Sequence, residues 1–302
     1  MALNFGRTGG TATVRIDEQV CTNCGLCVKV CKGAPLYMED RHVCVDQTRY
    51  FGCVGCGHCM SICPHGCVTV AGRDLSRYDL LDMPPRETRA TYEQLEALMS
   101  ARRSVRNFQD REVEREVIEK IVAAASTAPM GIPPSEVHVL VLAGRDKVKA
   151  FRDDLLNAMR SVKWMFSPFV LGLLRPFIGK EAYELYSSFV VPAVDAYAEK
   201  EQAGIDWFFY DAPLSLYFCA SPYADPADPF IAATYAMLSG EALGLGSCML
   251  GFPGQILQYH RKLRAKYGLP AKTQGGLAVV FGYPAVRFQR AIKRRFAQVE
   301  YR

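Results

Sequence analysis

Two short runs of cysteine constrain this chain more than any other feature. The first is Cys21-Thr22-Asn23-Cys24-Gly25-Leu26-Cys27-Val28-Lys29-Val30-Cys31. The second is Cys53-Val54-Gly55-Cys56-Gly57-His58-Cys59-Met60-Ser61-Ile62-Cys63-Pro64. Each reads C-x2-C-x2-C-x3-C. In a tight loop, three thiolates at this spacing can grip three irons of one 4Fe-4S cubane, while the fourth cysteine points away. Zinc is the plainer alternative, but it needs four ligands per site and usually takes them from separated CxxC pairs. Two matching four-cysteine runs, the second closed by Pro64, favour iron–sulfur clusters.

The remainder of the sequence bounds the setting. It has 302 residues, half of them hydrophobic, enough for two domains, or one large one, with a sizeable core. Ten of the twelve cysteines lie in the first quarter, and eight of those ten fall in the two runs. That distribution fits cluster ligation in a reducing compartment rather than a disulfide framework. Met1 to Gly10 lacks the apolar stretch of a signal peptide. The longest apolar stretch, Trp164 to Ile178, is interrupted by Pro168, Arg175 and Pro176 and is too short to span a bilayer. No transmembrane segment and a cytoplasmic location are expected.

The net charge of +5 does not argue for nucleic acid, because the basic residues form no long stripe. Arginines gather instead around Arg102–Arg106 and Arg287–Arg295. Two compact clusters far apart in sequence fit an anionic cofactor, with a solvated basic surface as the alternative.

Along the chain, residues 13–72 form the cluster module, with short strands expected around Val14–Ile16 and Val68–Val70. So small a unit draws much of its stability from metal. Cys44 and Cys67 are left over and read as packed small side chains. His58 sits between two ligand positions and reads as a loop-surface histidine. Residues 73–90 form a charged linker stiffened by Pro84-Pro85. The second domain covers 91–302. Helices are expected from Thr91, over Glu112–Ala125, Arg145–Met159, Asp228–Leu243 and Pro253–Tyr267. Strands are expected over Val137–Leu142, Pro213–Ala220, Ser247–Gly251 and Leu277–Phe281. Strands alternating with helices mean α/β layering around a mixed sheet. The aromatic-rich insert, about 151–204, is a lid, an apolar wall or a membrane-surface contact on one account, and a buried helical hairpin or subunit interface on another.

These pieces resemble two known families. The front end resembles a two-cluster bacterial ferredoxin, where the fourth cysteine of each run ligates the other cluster. One cluster then takes Cys21, Cys24, Cys27 and Cys63, and the other Cys53, Cys56, Cys59 and Cys31. Residues from about 91 to 295 resemble the FMN-dependent nitroreductases. The resemblance rests on Arg102-Arg103-Ser104-Val105-Arg106-Asn107-Phe108, Ala128-Pro129, Ala242-Leu243-Gly244-Leu245-Gly246-Ser247-Cys248, and Phe281-Gly282-Tyr283-Pro284 with the arginines behind it. The implied fold class is α+β: a ferredoxin-like module followed by a nitroreductase-like mixed sheet flanked by helices.

By that resemblance Arg102, Ser104 and Arg106, with Arg103 beside them, hold an FMN phosphate, joined by Arg290 and Arg294 from the tail. Arginine forks match a phosphate's charge and geometry. Cys248, Met249, Leu250 and Gly251 pass the isoalloxazine edge, with a backbone amide at Leu250 approaching N5. Pro129, Met130 and Gly131 touch the flavin from a loop that departs from the family pattern, since Met130-Gly131-Ile132-Pro133-Pro134 replaces its usual polar residues. The family's homodimer is implied as well.

The expected function is an iron–sulfur flavoprotein oxidoreductase with two 4Fe-4S clusters and FMN. Electrons pass from the clusters to FMN and then to a small electrophile: a nitroarene, quinone or activated alkene. The chemistry is carried by the flavin, so no side chain is assigned as catalytic. A ferredoxin, a flavodoxin or NAD(P)H would be the donor. The alternative is an electron-transfer module whose partner is a protein.

Overall fold

The computed structural model describes residues 12–31, 35–50, 52–73, 75–131, 136–162, 164 and 167–302. Met1 to Gly10 and Ile132-Pro133-Pro134, named above, lie outside the described residues. The chain divides into two compact units. One comprises Met1–Arg89, Pro129–His138 and Ala220–Asp228; the other comprises Ala90–Ala128, Val139–Cys219 and Pro229–Arg302.

In the first unit the alternation at Val14 and Val68–Val70 does what it promised. Strand β1 (Thr13–Ile16) carries its apolar residues inward; helix α1 (Leu26–Val30) follows the first cysteine loop. Strands β2 (Leu36–Glu39) and β3 (His42–Val45) then form an antiparallel hairpin that the sequence reading missed. Its turn residues Asp40 and Arg41 both adopt positive φ, 45° and 66°. That is the geometry of a two-residue hairpin turn, reached without the glycine that would have announced it. Helix α2 (His58–Ser61) follows the second loop, and β4 (Val68–Ala71) closes the module by pairing antiparallel with β1, Val14 opposite Val70. The small core between them mixes Val14, Leu36, Met60 and Val70 with Cys27, Cys53, Cys59 and Cys67. Arg73, at the start of the charged stretch, is buried and donates to the Val54 carbonyl at 3.1 Å.

The second unit begins at α3 (Tyr92–Ala101), whose N-terminus is fixed by a capping box. The Thr91 side chain accepts from the Gln94 N–H, and the Gln94 side chain accepts from the Thr91 N–H. Helix α4 runs Arg115–Ser126, starting three residues later than the pattern suggested, and buries Ile118, Ile121 and Ala125. Strand β5 (Val137–Ala143) leads into α5 (Arg145–Val162). The insert is helical: α6 (Pro168–Ile178), α7 (Lys180–Leu185), a π-helical turn over Tyr186–Val190, and α8 (Val191–Gln202). Then come β6 (Leu214–Ala220), α9 (Asp228–Ala242) and β7 (Gly246–Leu250).

The expected helix Pro253–Tyr267 is two helices, α10 (Phe252–Tyr259) and α11 (Arg261–Lys266). The break lies at His260, whose backbone leaves the helical region and whose Nδ1 accepts from the Leu263 N–H at 3.2 Å. A histidine acting as N-cap is a signal that apolar periodicity does not carry. Strand β8 (Gln274–Gly282) completes a four-stranded sheet of order β5-β6-β8-β7, with β7 antiparallel to β8. Every residue of β6 is buried, the mark of a strand covered on both faces. Helix α10 reaches β8 at closest range: a Cβ on Gly254 would lie 1.7 Å from the Gly276 carbonyl oxygen. Among the described residues no helix is long and apolar enough to cross a membrane.

Candidate functional site

The two cysteine loops fold alike. Asn23 and Gly25 in the first, and Gly55 and Gly57 in the second, all have positive φ, between 56° and 74°. Each left-handed residue reverses the chain, so the third cysteine, one or two residues into the short helix, turns back toward the first two. Glycine suits three of these positions; asparagine is the side chain that tolerates the fourth.

The thiols group by environment. Burial pushes Cys59 up to about 12, and the neighbouring Cys31, Cys53 and Cys56 add to the effect. Burial also raises Cys31, with Cys56 and Cys53 contributing. Cys31 of the first run therefore sits with the cysteines of the second. In the first loop, burial raises Cys27, opposed by the Val28 N–H and reinforced by Cys21 and Cys24. Buried thiols facing one another give up their protons when cations replace them, and a 4Fe-4S cluster supplies those cations. No three such side chains among the described residues converge tightly enough for a single metal ion; a cubane seats each thiolate on its own iron. Cys67 is packed in the small core, as expected, with its Sγ 3.3 Å from the Sγ of Cys63. Cys44 is half-buried in β3, and His58 is exposed.

The second site forms where the stretch 102–109 lies beside the sheet. Ser104 bridges in parallel to Ser247 of β7, and the Val105 N–H donates to the Ser247 carbonyl at 2.9 Å. Further on, Phe108 bridges to Pro284, and Ala285 donates to the Asn107 carbonyl. Successive side chains of an extended stretch point to opposite faces. Val105 is buried against Gly246, where a Cβ would come within 2.6 Å of it. Arg102, Ser104 and Arg106 share the other face and surround Cys248. Burial pushes that thiol up, and Arg106, Ser104 and Arg102 oppose the shift.

This divides the candidate arginines. Arg103 lines a cleft of about 660 Å³ with Glu241, Arg287 and Arg290, away from the Arg102–Ser104–Arg106 face. Arg294 lies exposed in the tail and outside that cleft. Arg106 lines a different cavity of about 790 Å³, together with Phe189, Tyr197, Trp207 and Tyr210. Its guanidinium sits 5.7 Å from the centre of the Tyr210 ring. Downstream of Cys248, Met249 is exposed, Leu250 half-buried and Gly251 exposed, with open space where a Cβ of Gly251 would point. Pro129, Met130 and Gly131 belong to the other unit, where the Gly131 N–H donates to the Asp228 carboxylate at 3.3 Å.

Sequence reasoning missed Tyr210 and the turn that places it. The Asp206 Oδ1 accepts from the N–H groups of Phe208 and Phe209 at 2.9 and 2.8 Å, and Oδ2 accepts from Asp211 at 3.2 Å. Buried Arg152 pairs with the same carboxylate at 3.0 Å. The turn holds Tyr210 and Asp211 at φ of 60° and 48°, conformations a non-glycine residue keeps only when its surroundings impose them. An Asp followed at two, three and five residues by its N–H donors is a turn signal, but nothing in the sequence joins it to Arg152 or Arg106.

An anionic, flat cofactor fits what is present. Arg102, Ser104 and Arg106 are donors on one face, and Gly251 leaves backbone open to close approach. Residues 99–283, more than half of the chain, match the nitroreductase family. The chain belongs to the nitroreductase family. Residues 13–64 match a 4Fe-4S dicluster domain. This nitroreductase-family chain thus carries a 4Fe-4S dicluster domain ahead of its nitroreductase domain. Comparison with curated proteins finds no match. Among solved structures, it is similar to a nitroreductase with bound FMN from Bacteroides fragilis, at 18% identity over 69% of this chain and 99% of that one, with a TM-score of 0.50. It is also similar to an FMN-dependent nitroreductase from Clostridium difficile, at 18% identity over 70% of this chain and all of that one, with a TM-score of 0.47. At that identity the first likeness bears on the fold alone.

Proposed function

We propose that this nitroreductase-family protein passes electrons from two 4Fe-4S clusters to FMN and on to a small electrophile, a nitroarene, quinone or activated alkene. The observation that carries this reading is the convergence of Arg102, Ser104 and Arg106 on the edge of β7, beside a cavity walled by the insert. FMN, when bound, supplies the redox chemistry, accepting electrons singly and releasing them as a pair with a proton. The chain supplies placement. Arg102 and Arg106 offer forked donors to a phosphate or another anionic edge, with Ser104 between them. Gly251 admits a flat ring against the backbone. Buried Cys248, its thiol raised, stays neutral beside that ring. Phe189, Tyr197 and Trp207 line the open cavity at Arg106 and give an acceptor apolar surface to lie against.

The test is to purify the protein anaerobically, measure iron and acid-released flavin, reduce it with dithionite, and mix it with each acceptor class. At least one small acceptor should reoxidise the protein with one two-electron product per pair withdrawn. Absence of flavin from protein with intact clusters, or reoxidation by protein acceptors only, would defeat the proposal.

A further inference from the structure

Helix α6 turns an apolar stripe outward. Phe169, Gly172, Leu173, Pro176 and Phe177 recur at the spacing of one helix face, and all five are exposed. Phe169 is 82% exposed, Leu173 67% and Phe177 85%, whereas Leu171 on another face is 3% exposed. A surface helix of a soluble domain shows the reverse pattern, charged outside and apolar within. A contiguous apolar face of this kind marks a place where something apolar docks.

Charge and length select the occupant. Between Leu155 and Lys180 the sequence holds four basic residues, Arg160, Lys163, Arg175 and Lys180, and no acidic one. Arg175 lies within α6 and Lys180 opens α7, both exposed; Arg160 pairs with Glu201 and Lys180 lies 3.8 Å from Glu184, which leaves Arg175 as the cation on α6 itself, and Trp164, 68% exposed, precedes the helix. Aromatic side chains, an apolar stripe and flanking cations are the makings of an interfacial helix on an anionic membrane. At eleven residues, and about 1.5 Å per residue, α6 spans roughly half a hydrocarbon core. It can lie along the boundary but not cross it.

We propose that α6 seats the chain reversibly on an anionic lipid bilayer, with Phe169, Leu173 and Phe177 entering the headgroup boundary and Arg175 and Lys180 meeting lipid phosphates. The proposal rests on α6 and its flanks and stands apart from the flavin reading.

Flotation of the full-length holoprotein with vesicles decides it. The protein should float with vesicles of phosphatidylcholine and phosphatidylglycerol, less with phosphatidylcholine alone, and added salt should release it. Phe169→Glu/Leu173→Glu/Phe177→Glu should lower the bound fraction about tenfold or more, with iron and flavin content unchanged. Arg175→Ala/Lys180→Ala should remove the preference for anionic vesicles. If the triple variant loses iron or flavin, Leu173→Glu alone serves in its place. Failure of the parent to float, or flotation that survives the triple substitution, overturns the proposal. So does a dimer in solution that the triple substitution converts to monomer without any vesicle binding by the parent.

Discussion

Val105 donates its backbone N–H to the carbonyl of Ser247 at 2.9 Å, and that bond sets the register of the candidate flavin site. Because an extended stretch alternates its side chains, burying Val105 against Gly246 turns Arg102, Ser104 and Arg106 toward Cys248 and leaves Arg103 to the Arg290 cleft. A slip of one residue would exchange the two sets, which makes the tight Val105–Gly246 contact part of how the site is specified.

The two faces make opposite forecasts. If the phosphate lies on the Arg102 face, Arg102→Ala/Arg106→Ala should release FMN while Arg103→Ala/Arg290→Ala retains it. Each charge-assisted contact is worth roughly 1.5–3 kcal/mol, so each single change on the right face weakens binding about ten- to a hundredfold. Flavin retained after gel filtration, with iron as the internal control, reads out which pair matters.

Cys31→Ser should dismantle the cluster associated with Cys53, Cys56 and Cys59 rather than the one in its own run, since Cys56 and Cys53 lie close enough to add to the burial that raises its thiol. Iron should fall from about eight to about four per chain, with the remaining signal belonging to the first loop. Loss of iron confined to the first loop, followed by spectroscopy of a companion Cys56→Ser variant, would show that the ligands do not cross.

Gly254 and Gly251 lie three residues apart and should respond in opposite ways. A methyl on Gly254 would press into the Gly276 carbonyl at 1.7 Å, a backbone contact that cannot swing aside. Gly254→Ala should therefore cost about 3 kcal/mol or more by forcing α10 off β8, seen as a lower Tm of the flavin-bearing domain. Gly251→Ala meets open space and should leave Tm nearly unchanged while weakening flavin retention.

The Arg152–Asp206 pair reaches the site through a turn. Asp206→Ala leaves a buried guanidinium short of a partner and frees three N–H groups, and should cost about 3–5 kcal/mol. It should also relax the positive-φ turn and withdraw Tyr210 from Arg106, so flavin retention should fall more than in a comparably destabilised core variant such as Ile121→Val. Equal flavin loss at equal destabilisation would reduce Asp206 to a purely structural role.

What the sequence disclosed depended on whether a signal was local. The cysteine spacing, the Thr91 cap and the strands bracketing the cluster module are written within a few residues of themselves, and the structure returns each. The hairpin of β2 and β3 escaped because Asp40 and Arg41 occupy left-handed backbone without a glycine. The division between Arg102 and Arg103 escaped because it depends on which neighbour is buried, and that is decided by Gly246, far along the chain. Tyr210 escaped for the same reason, since its position is held by Arg152 through Asp206. The insert was legible as apolar and helical, but its outward-facing stripe required knowing that Leu171, and not Phe169 or Leu173, is the residue turned inward.

The last expectation concerns the two entry points for electrons. Clusters exchange single electrons, whereas a nicotinamide delivers a hydride only by stacking on a flavin. If the dicluster domain feeds the flavin, Cys56→Ser should slow flavin reduction by a low-potential one-electron donor and spare reduction by NAD(P)H or another hydride donor. The substitution also removes metal-derived folding energy from a module whose core contains its own cysteines, so the whole module could unfold. The comparison survives that outcome, because the core of the second unit is built from α5, β6 and β8 residues such as Phe151, Tyr217 and Val280 and contains none of the cluster ligands. FMN content should therefore hold. Stopped-flow reduction of variant and parent by both donors gives the decision. Equal slowing with both donors at unchanged flavin content would mean that the clusters do more than carry electrons to the flavin, and the proposed direction of flow would fail.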